Sequence, residues 1–328
     1  MTDPVLLRAE GLTHHFGGHR TLFGPRKPPL RAVDGVDLEV MRGETLGIVG
    51  ESGCGKSTVG RLLVRLLEAT SGRITFDGQE ITNLSGHALR HVRRQLGMVF
   101  QDPFASLDGR MRVGDIIAEP LDIHAVARGA ERARRVAELL ELVGLPASAA
   151  ERLPHEFSGG QRQRIGIARA ICLQPRFVVL DEAVSALDVS IQAQVLQLLA
   201  ELQQRLGLTY LFITHNMAVV HNVADRIAVM YLGRVVELAP AEELFRNPRH
   251  PYTQALLSAV PVPDPARKQR RVVLRGDVPS PLAPPPGCHF HTRCPRAGAI
   301  CAQVEPPTVT TAPGHVAVCH FATQAAAA

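Results

Sequence analysis

The chain lacks any apolar run near the roughly 18–20 residues that a membrane-crossing helix needs, so any membrane role must come through partners. It also lacks a signal-peptide pattern: Met1-Thr2-Asp3-Pro4 is not basic-then-apolar, and the expectation is a cytoplasmic protein. Lysine is scarce. Of 36 basic residues only Lys27, Lys56 and Lys268 are lysines, so the net charge of +5 and the pI of 9.1 rest on arginine. A bias this general is weak support for a nucleic-acid partner, and none is expected. The run Arg267-Lys268-Gln269-Arg270-Arg271 reads as a solvated linker face, with anionic lipid head groups as its other natural neighbour. No segment is repeated.

What is there is an ordinary globular composition, 45% hydrophobic and 20% charged over 328 residues, enough for one large domain with an appendage. Val5-Leu6-Leu7 and the alternating Ala32–Val40 read as half-buried strands, separated by a turn-rich loop from Gly17 to Pro29. A short apolar strand, Thr45–Val49, leads through a glycine-rich turn into a helix from Lys56 to about Leu67. Arg73–Phe76 and Gly97–Val99 are further strands. From about 102 to 175 the pattern is helical, with Arg128–Val143 ending at Gly144. Strands Phe177–Leu180, Thr209–Ile213 and Ile227–Tyr231 then alternate with helices Ser190–Leu206 and Met217–Val223. Such alternation predicts an α/β sheet interrupted by a helical insertion. Composition shifts near Val260 into Pro261–Pro265 and Pro279–Pro286, so residues 261–328 are expected to form a separate, small, loop-dominated module after a domain of residues 1–260.

Three segments carry chemistry. Gly50-Glu51-Ser52-Gly53-Cys54-Gly55-Lys56-Ser57-Thr58 fits G-x-x-x-x-G-K-[ST] between a strand and a helix. In that context backbone N–H groups turn around phosphate oxygens at the positive end of the helix, Lys56 adds a point charge, and Ser57 suits Mg²⁺. Thr58 lies toward the α-phosphate. Phe177–Asp181 followed by Glu182 is an apolar strand ending in two acids. Beside a P-loop, Asp181 suits a metal-anchoring role and Glu182 the polarising of an attacking water. Ser158-Gly159-Gly160-Gln161 reads as a helix start whose N–H groups are open to a second anion contact.

With these residues in view the chain resembles the ABC ATPases: Walker A at Gly50–Thr58, the signature at Ser158–Gln161 and Walker B at Phe177–Asp181. Gln101 occupies the Q-loop position, Asp188 the D-loop and His215 the switch position. Phe16 fits the place where this family stacks an aromatic on adenine, a strand-end core phenylalanine being the other reading. Phe100-Gln101-Asp102-Pro103-Phe104, Pro154–Gln161, Val184–Gln194 and His250-Pro251-Tyr252-Thr253-Gln254-Ala255-Leu256-Leu257 are similar to the oligopeptide/dipeptide permease ATPases. The resemblance implies a P-loop NTPase core with an antiparallel β subdomain and a helical subdomain. Its function would be ATP-driven peptide import, the alternatives being import of nickel or another small solute, or a soluble ABC protein. The chain carries no tandem cassette and no N-K-x-D guanine motif.

The resemblance further implies that one P-loop and one signature per chain pair head-to-tail with a paralogous ATPase subunit. Two transmembrane permease subunits and, indirectly, an extracytoplasmic binding protein complete the assembly, with this chain peripheral on the cytoplasmic face of the inner membrane. ATP and Mg²⁺ are the expected ligands, with Ser57 and Gln101 near the metal and Glu182 and His215 catalytic. Two departures stand out: Ala183 replaces the usual proline and Asn216 the usual aspartate. Cys288, Cys294, Cys301 and Cys319, separated by five, six and seventeen residues, include no C-x-x-C pair. The resemblance implies that they hold a [4Fe–4S] cluster; zinc, with histidine help, or a reduced metal-free tail are the other readings.

Overall fold

The computed structural model describes residues 4–17, 28–102, 105–260, 272–274 and 276–324. Most of the Gly17–Pro29 loop, Pro103 and Phe104 of the Q-loop segment, and the Pro261–Pro265 and Arg267–Arg271 stretches lie outside these residues. In chain order the elements begin with β1 (Val5–Phe16), β2 (Leu30–Met41), β3 (Thr45–Val49), α1 (Lys56–Leu63), β4 (Ser71–Phe76) and β5 (Gln79–Glu80). They continue with α2 (Gly86–Arg93), β6 (Leu96–Val99), α3 (Val113–Ile123), α4 (Gly129–Leu142), α5 (Gly159–Ile171), β7 (Phe177–Asp181), α6 (Val189–Leu206) and β8 (Thr209–Thr214). The last are α7 (Met217–Val223), β9 (Arg226–Tyr231), β10 (Arg234–Pro240), α8 (Ala241–Arg246), α9 (Pro251–Ser258), β11 (Thr308–Ala312) and β12 (His315–Val318).

The chain divides into two compact units. One comprises Val5–Glu39, Thr45–Thr82 and Thr214–Ala328. It contains an antiparallel sheet in the order β2-β1-β4-β5, where Leu7 pairs with Phe76 and the register slips between Glu10 and Thr13. It also contains β3 beside β9 in parallel, then β10, β12 and β11 in antiparallel succession. Every residue of β3 is buried, as an apolar run with no polar face requires. The tail is therefore not the separate module expected. Its hairpin β11–β12 extends this sheet through Glu237↔Ala317 and Leu238↔Val316, and the Arg31 N–H donates to the Pro281 carbonyl at 3.2 Å.

The other unit comprises Met1–Pro4, Val40–Glu44 and Asn83–Ile213. Its strands β6, β7 and β8 are parallel and in register, Val99 with Leu180 and Asp181 with Ile213. Helices α3, α4 and α5 form the expected helical insertion, closed by the buried faces of Ile117, Leu121, Val136, Leu140, Ile165 and Ile167. Each such side chain buried contributes about 1.5–3 kcal/mol. Among the described residues no helix is long and apolar enough to cross a membrane.

The strands and helices expected from periodicity are present, and one of their boundaries moves. The helix expected to reach Leu67 stops at Leu63. Arg65 takes a left-handed φ of 58° and buries its guanidinium, donating to the Ile81 carbonyl at 3.0 Å, so the backbone turns where side-chain periodicity would have continued.

Candidate nucleotide-binding site

The P-loop occupies the β3–α1 connection. Two of its glycines are dictated by close approach. A Cβ at Gly50 would lie 2.2 Å from the Met230 carbonyl oxygen, and one at Gly55 2.0 Å from that of Ala32; Gly55 also has a φ of 105°. Helix α1 starts on Gly55 with no side chain capping it. Lys56, only 4% exposed, donates from Nζ to the carbonyls of Gly50 and Glu51 at 2.9 and 3.0 Å, which draws the ammonium across the loop. Ser52 and Gly53 are exposed, Ser57 and Thr58 half-buried. Cys54 is buried, and that burial pushes its thiol pKa up, which suits a packing role better than a reactive one.

Two further groups fix the loop from behind, and neither was anticipated. The Glu51 N–H donates to Tyr252 Oη at 2.9 Å. The Glu51 carboxylate accepts two bonds from Arg293, at 2.8 and 3.0 Å. Tyr252 is the second residue of α9, within the His250–Leu257 segment that carries the family resemblance, and Arg293 stands beside Cys294.

In the other unit, β7 carries Asp181, fully buried, to its C-terminal end. Glu182 follows with a left-handed φ of 46°, a conformation rarely held without outside support. That support is visible. The Glu182 N–H donates to the Ile213 carbonyl at 2.9 Å, and the Glu182 carbonyl accepts from Ser185 Oγ at 2.9 Å and from the Ser185 N–H at 3.1 Å. Ala183 is 2% exposed, so the proline expected there is replaced by packing and these bonds. Gln101 Nε2 donates to Glu182 Oε2 at 2.7 Å, bringing two predicted residues together.

Helix α5 begins with a reciprocal cap: the Gln161 N–H donates to Ser158 Oγ at 3.3 Å and the Ser158 N–H to Gln161 Oε1 at 3.0 Å. Ser158 and Gln161 are exposed, while a Cβ at Gly160 would lie 2.4 Å from Ile191 Cγ2, a side chain that would have to shift. Asp188 caps α6, accepting from the Ile191 N–H at 3.0 Å and from Ser190 Oγ at 2.7 Å. The Ile191 bond foremost holds its carboxyl below the usual range.

His215 is exposed at the end of β8. Asn216 caps α7 by accepting from the Ala218 and Val219 N–H groups at 3.0 and 3.2 Å, work an aspartate would also do. Phe16 is 42% exposed and meets His14 edge-on at 4.4 Å between centroids, which excludes the core reading.

The arrangement gives the cysteine expectation no support. Among the described residues no three His, Cys, Asp or Glu side chains are grouped to hold a metal ion. All six cysteines are free thiols, and burial pushes Cys294 up to about 11 and raises Cys288 and Cys319.

A P-loop on an uncapped helix, and a buried strand ending in Asp-Glu with glutamine against the glutamate, define the parts of an ATP hydrolase. Residues 33–185 match the family described as ABC transporter, and residues 236–301 the oligopeptide/dipeptide transporter C-terminal region. The second match begins inside β10, ahead of the boundary drawn from composition. The chain is 53% identical over 320 residues to an oligopeptide transport ATP-binding protein of Bacillus subtilis, covering 97% of each chain. It is 52% identical over 319 residues to a peptide import ATP-binding protein of Brucella ovis, covering 97% of this chain and 98% of the relative. Among solved structures, an ATP-binding cassette captured as a dimer with ADP and Pi after hydrolysis superposes with a TM-score of 0.63. It is 28% identical over 72% of this chain and 98% of that one. The chain belongs to the ABC transporter ATPases of the oligopeptide/dipeptide import family, as their ATP-hydrolysing subunit.

Proposed function

We propose that this chain powers peptide import as one of two ATPase subunits beneath a pair of permease subunits, peripheral to the cytoplasmic face of the inner membrane. The peptide reading is supported by relatives named for peptide transport at about half identity over nearly the full length. The dimer reading is supported by the dimeric cassette solved with ADP and Pi, and by the single P-loop and single signature in each chain. A paralogous partner would then bring its signature helix to this P-loop, and Ser158–Gln161 would serve the partner's site. The extracytoplasmic binding protein would be met only through the permease.

In the hydrolytic step the P-loop N–H groups and Lys56 bind the phosphates, and Glu182 orients water for in-line attack. The Gln101–Glu182 bond at 2.7 Å carries this reading, because it ties the carboxylate meant to orient water to the Q-loop glutamine. His215 stands for the γ-phosphate contact and Phe16 for adenine stacking. Ser57 and Gln101 offer oxygen donors suited to Mg²⁺, and Asp181, buried at the end of β7, anchors that side. When bound, Mg²⁺ neutralises phosphate charge. Residues from Gln101 to Pro120 would carry dimer motion to the permease.

The [4Fe–4S] or zinc reading of Cys288, Cys294, Cys301 and Cys319 rests on the family resemblance of the tail alone. Backbone N–H groups of Arg296 and Phe321 donate to the sulfurs of Cys294 and Cys319, each at 3.4 Å. Among the described residues the thiols do not form a ligand set.

Reconstituting the chain with its permease, partner ATPase and binding protein in vesicles tests the reading. ATP-dependent peptide uptake that is lost with Glu182→Gln is the expected result; uptake indifferent to that substitution contradicts it.

A further inference from the structure

The P-loop contains one acidic residue, Glu51, which the phosphate-binding roles leave unused. A carboxylate in a loop that wraps a triphosphate opposes the anion unless its charge is matched. Here the match comes from 242 residues further along the chain. Arg293 Nη1 donates to Glu51 Oε2 at 2.8 Å and Nη2 to Oε1 at 3.0 Å, a two-pronged geometry that is both stronger and more directional than a single contact. The Arg293 side chain is 8% exposed and that of Glu51 28%, so water screens the pair only from the carboxylate side.

The surroundings show why the arginine stays there. Phe290, three residues earlier, packs 5.2 Å from the ring of Tyr231 and 5.4 Å from that of Tyr252, and all three are 1% exposed or less. Tyr252 is the residue whose hydroxyl accepts the Glu51 N–H. The segment Phe290–Arg293 thus grips backbone and side chain of the same P-loop residue, one through an aromatic intermediary and one directly.

We propose that Arg293 is a positioning residue of the nucleotide site: the C-terminal tail supplies the cation that neutralises Glu51 and keeps the P-loop in its phosphate-accepting form. This rests on the P-loop reading above. It makes the tail part of the ATP site of its own chain, whatever else the tail does.

The test is MgATP binding to the purified full-length chain by equilibrium titration, with thermal unfolding alongside. Arg293→Gln is expected to weaken MgATP about tenfold, the effect of one unmatched charge near the phosphates. The turnover rate at saturating ATP should change less than threefold in the assembled transporter. The double variant E51Q/R293Q should regain most of the affinity, because it leaves no carboxylate to oppose the nucleotide. Arg293→Lys, which keeps the charge and loses the fork, should fall between, and it carries the test if Arg293→Gln does not fold. An unchanged affinity in these single variants, or a double variant as weak as Arg293→Gln, overturns the proposal. A wild-type chain that binds no MgATP overturns instead the P-loop reading beneath it.

Discussion

Helices α1 and α5 both begin where phosphate-binding chemistry was expected, and they begin differently. Helix α1 starts on Gly55 in a left-handed conformation, and no side chain caps it. Helix α5 starts on Ser158 and closes its first turn with a reciprocal bond to Gln161. An uncapped helix end directs backbone donors at an anion and gains stability when the anion arrives. A capped end is stable alone and presents a hydroxyl with fewer donors. The P-loop is therefore built to need its nucleotide, whereas the signature helix is built to keep its shape without one. That suits the role proposed for it, serving a nucleotide held by a partner subunit.

The comparison breaks most visibly at Lys56. Lys56→Ala should lower ATP hydrolysis by at least about 100-fold, the scale of losing a main charge-stabilising donor, as measured by steady-state phosphate release. No single substitution at Gln161 should approach this.

Glycine replacements sharpen it. Gly55→Ala forces a Cβ against the Ala32 carbonyl oxygen at a φ few side chains adopt, and should cost on the order of 1–3 kcal/mol together with most MgATP affinity. Gly160→Ala meets only the Ile191 methyl, on a helical backbone that favours alanine, and should destabilise less and spare MgATP affinity more. Calorimetry and nucleotide titration of both variants check this; equal losses would erase the distinction.

The rear support of the P-loop adds a pH signature. Burial lowers His250 to about 4, and its Nδ1 accepts the Tyr252 N–H at 3.1 Å, a bond only the neutral ring can accept. The unfolded value is the ordinary 6.5, so the unfolded chain binds the extra proton first. His250 stability is complete above that value and is lost progressively as pH falls toward 4. Denaturant midpoints should decline over this window, and less steeply in His250→Gln.

Smaller still is Ser158→Ala, which removes the cap and should cost about 1 kcal/mol in thermal unfolding. Its MgATP affinity should fall far less than that of Gly55→Ala.

The parts of the fold and site that depend on neighbours in sequence were legible. The strand Thr45–Val49 and the helix Met217–Val223 sit where pattern and spacing put them, and the P-loop lies between a strand and a helix as expected. What was hidden depends on neighbours in space. The early end of α1 is set by Arg65 burying its charge against Ile81, and no periodicity encodes that. The Arg293–Glu51 fork joins residues separated by most of the chain. The proline-rich break near Val260 looked like a domain boundary, yet β12 returns to pair with β10. The cysteines drew attention by their clustering, while the residue that reaches the P-loop stood between two of them.

The most direct test of the central claim follows labelled ATP in the assembled dimer carrying Glu182→Gln. The account predicts that nucleotide binds, stays as ATP and holds the dimer closed, with no phosphate released on the timescale of wild-type turnover. Hydrolysis at the wild-type rate would contradict it, because the carboxylate held by Gln101 would then not be the group that orients the water.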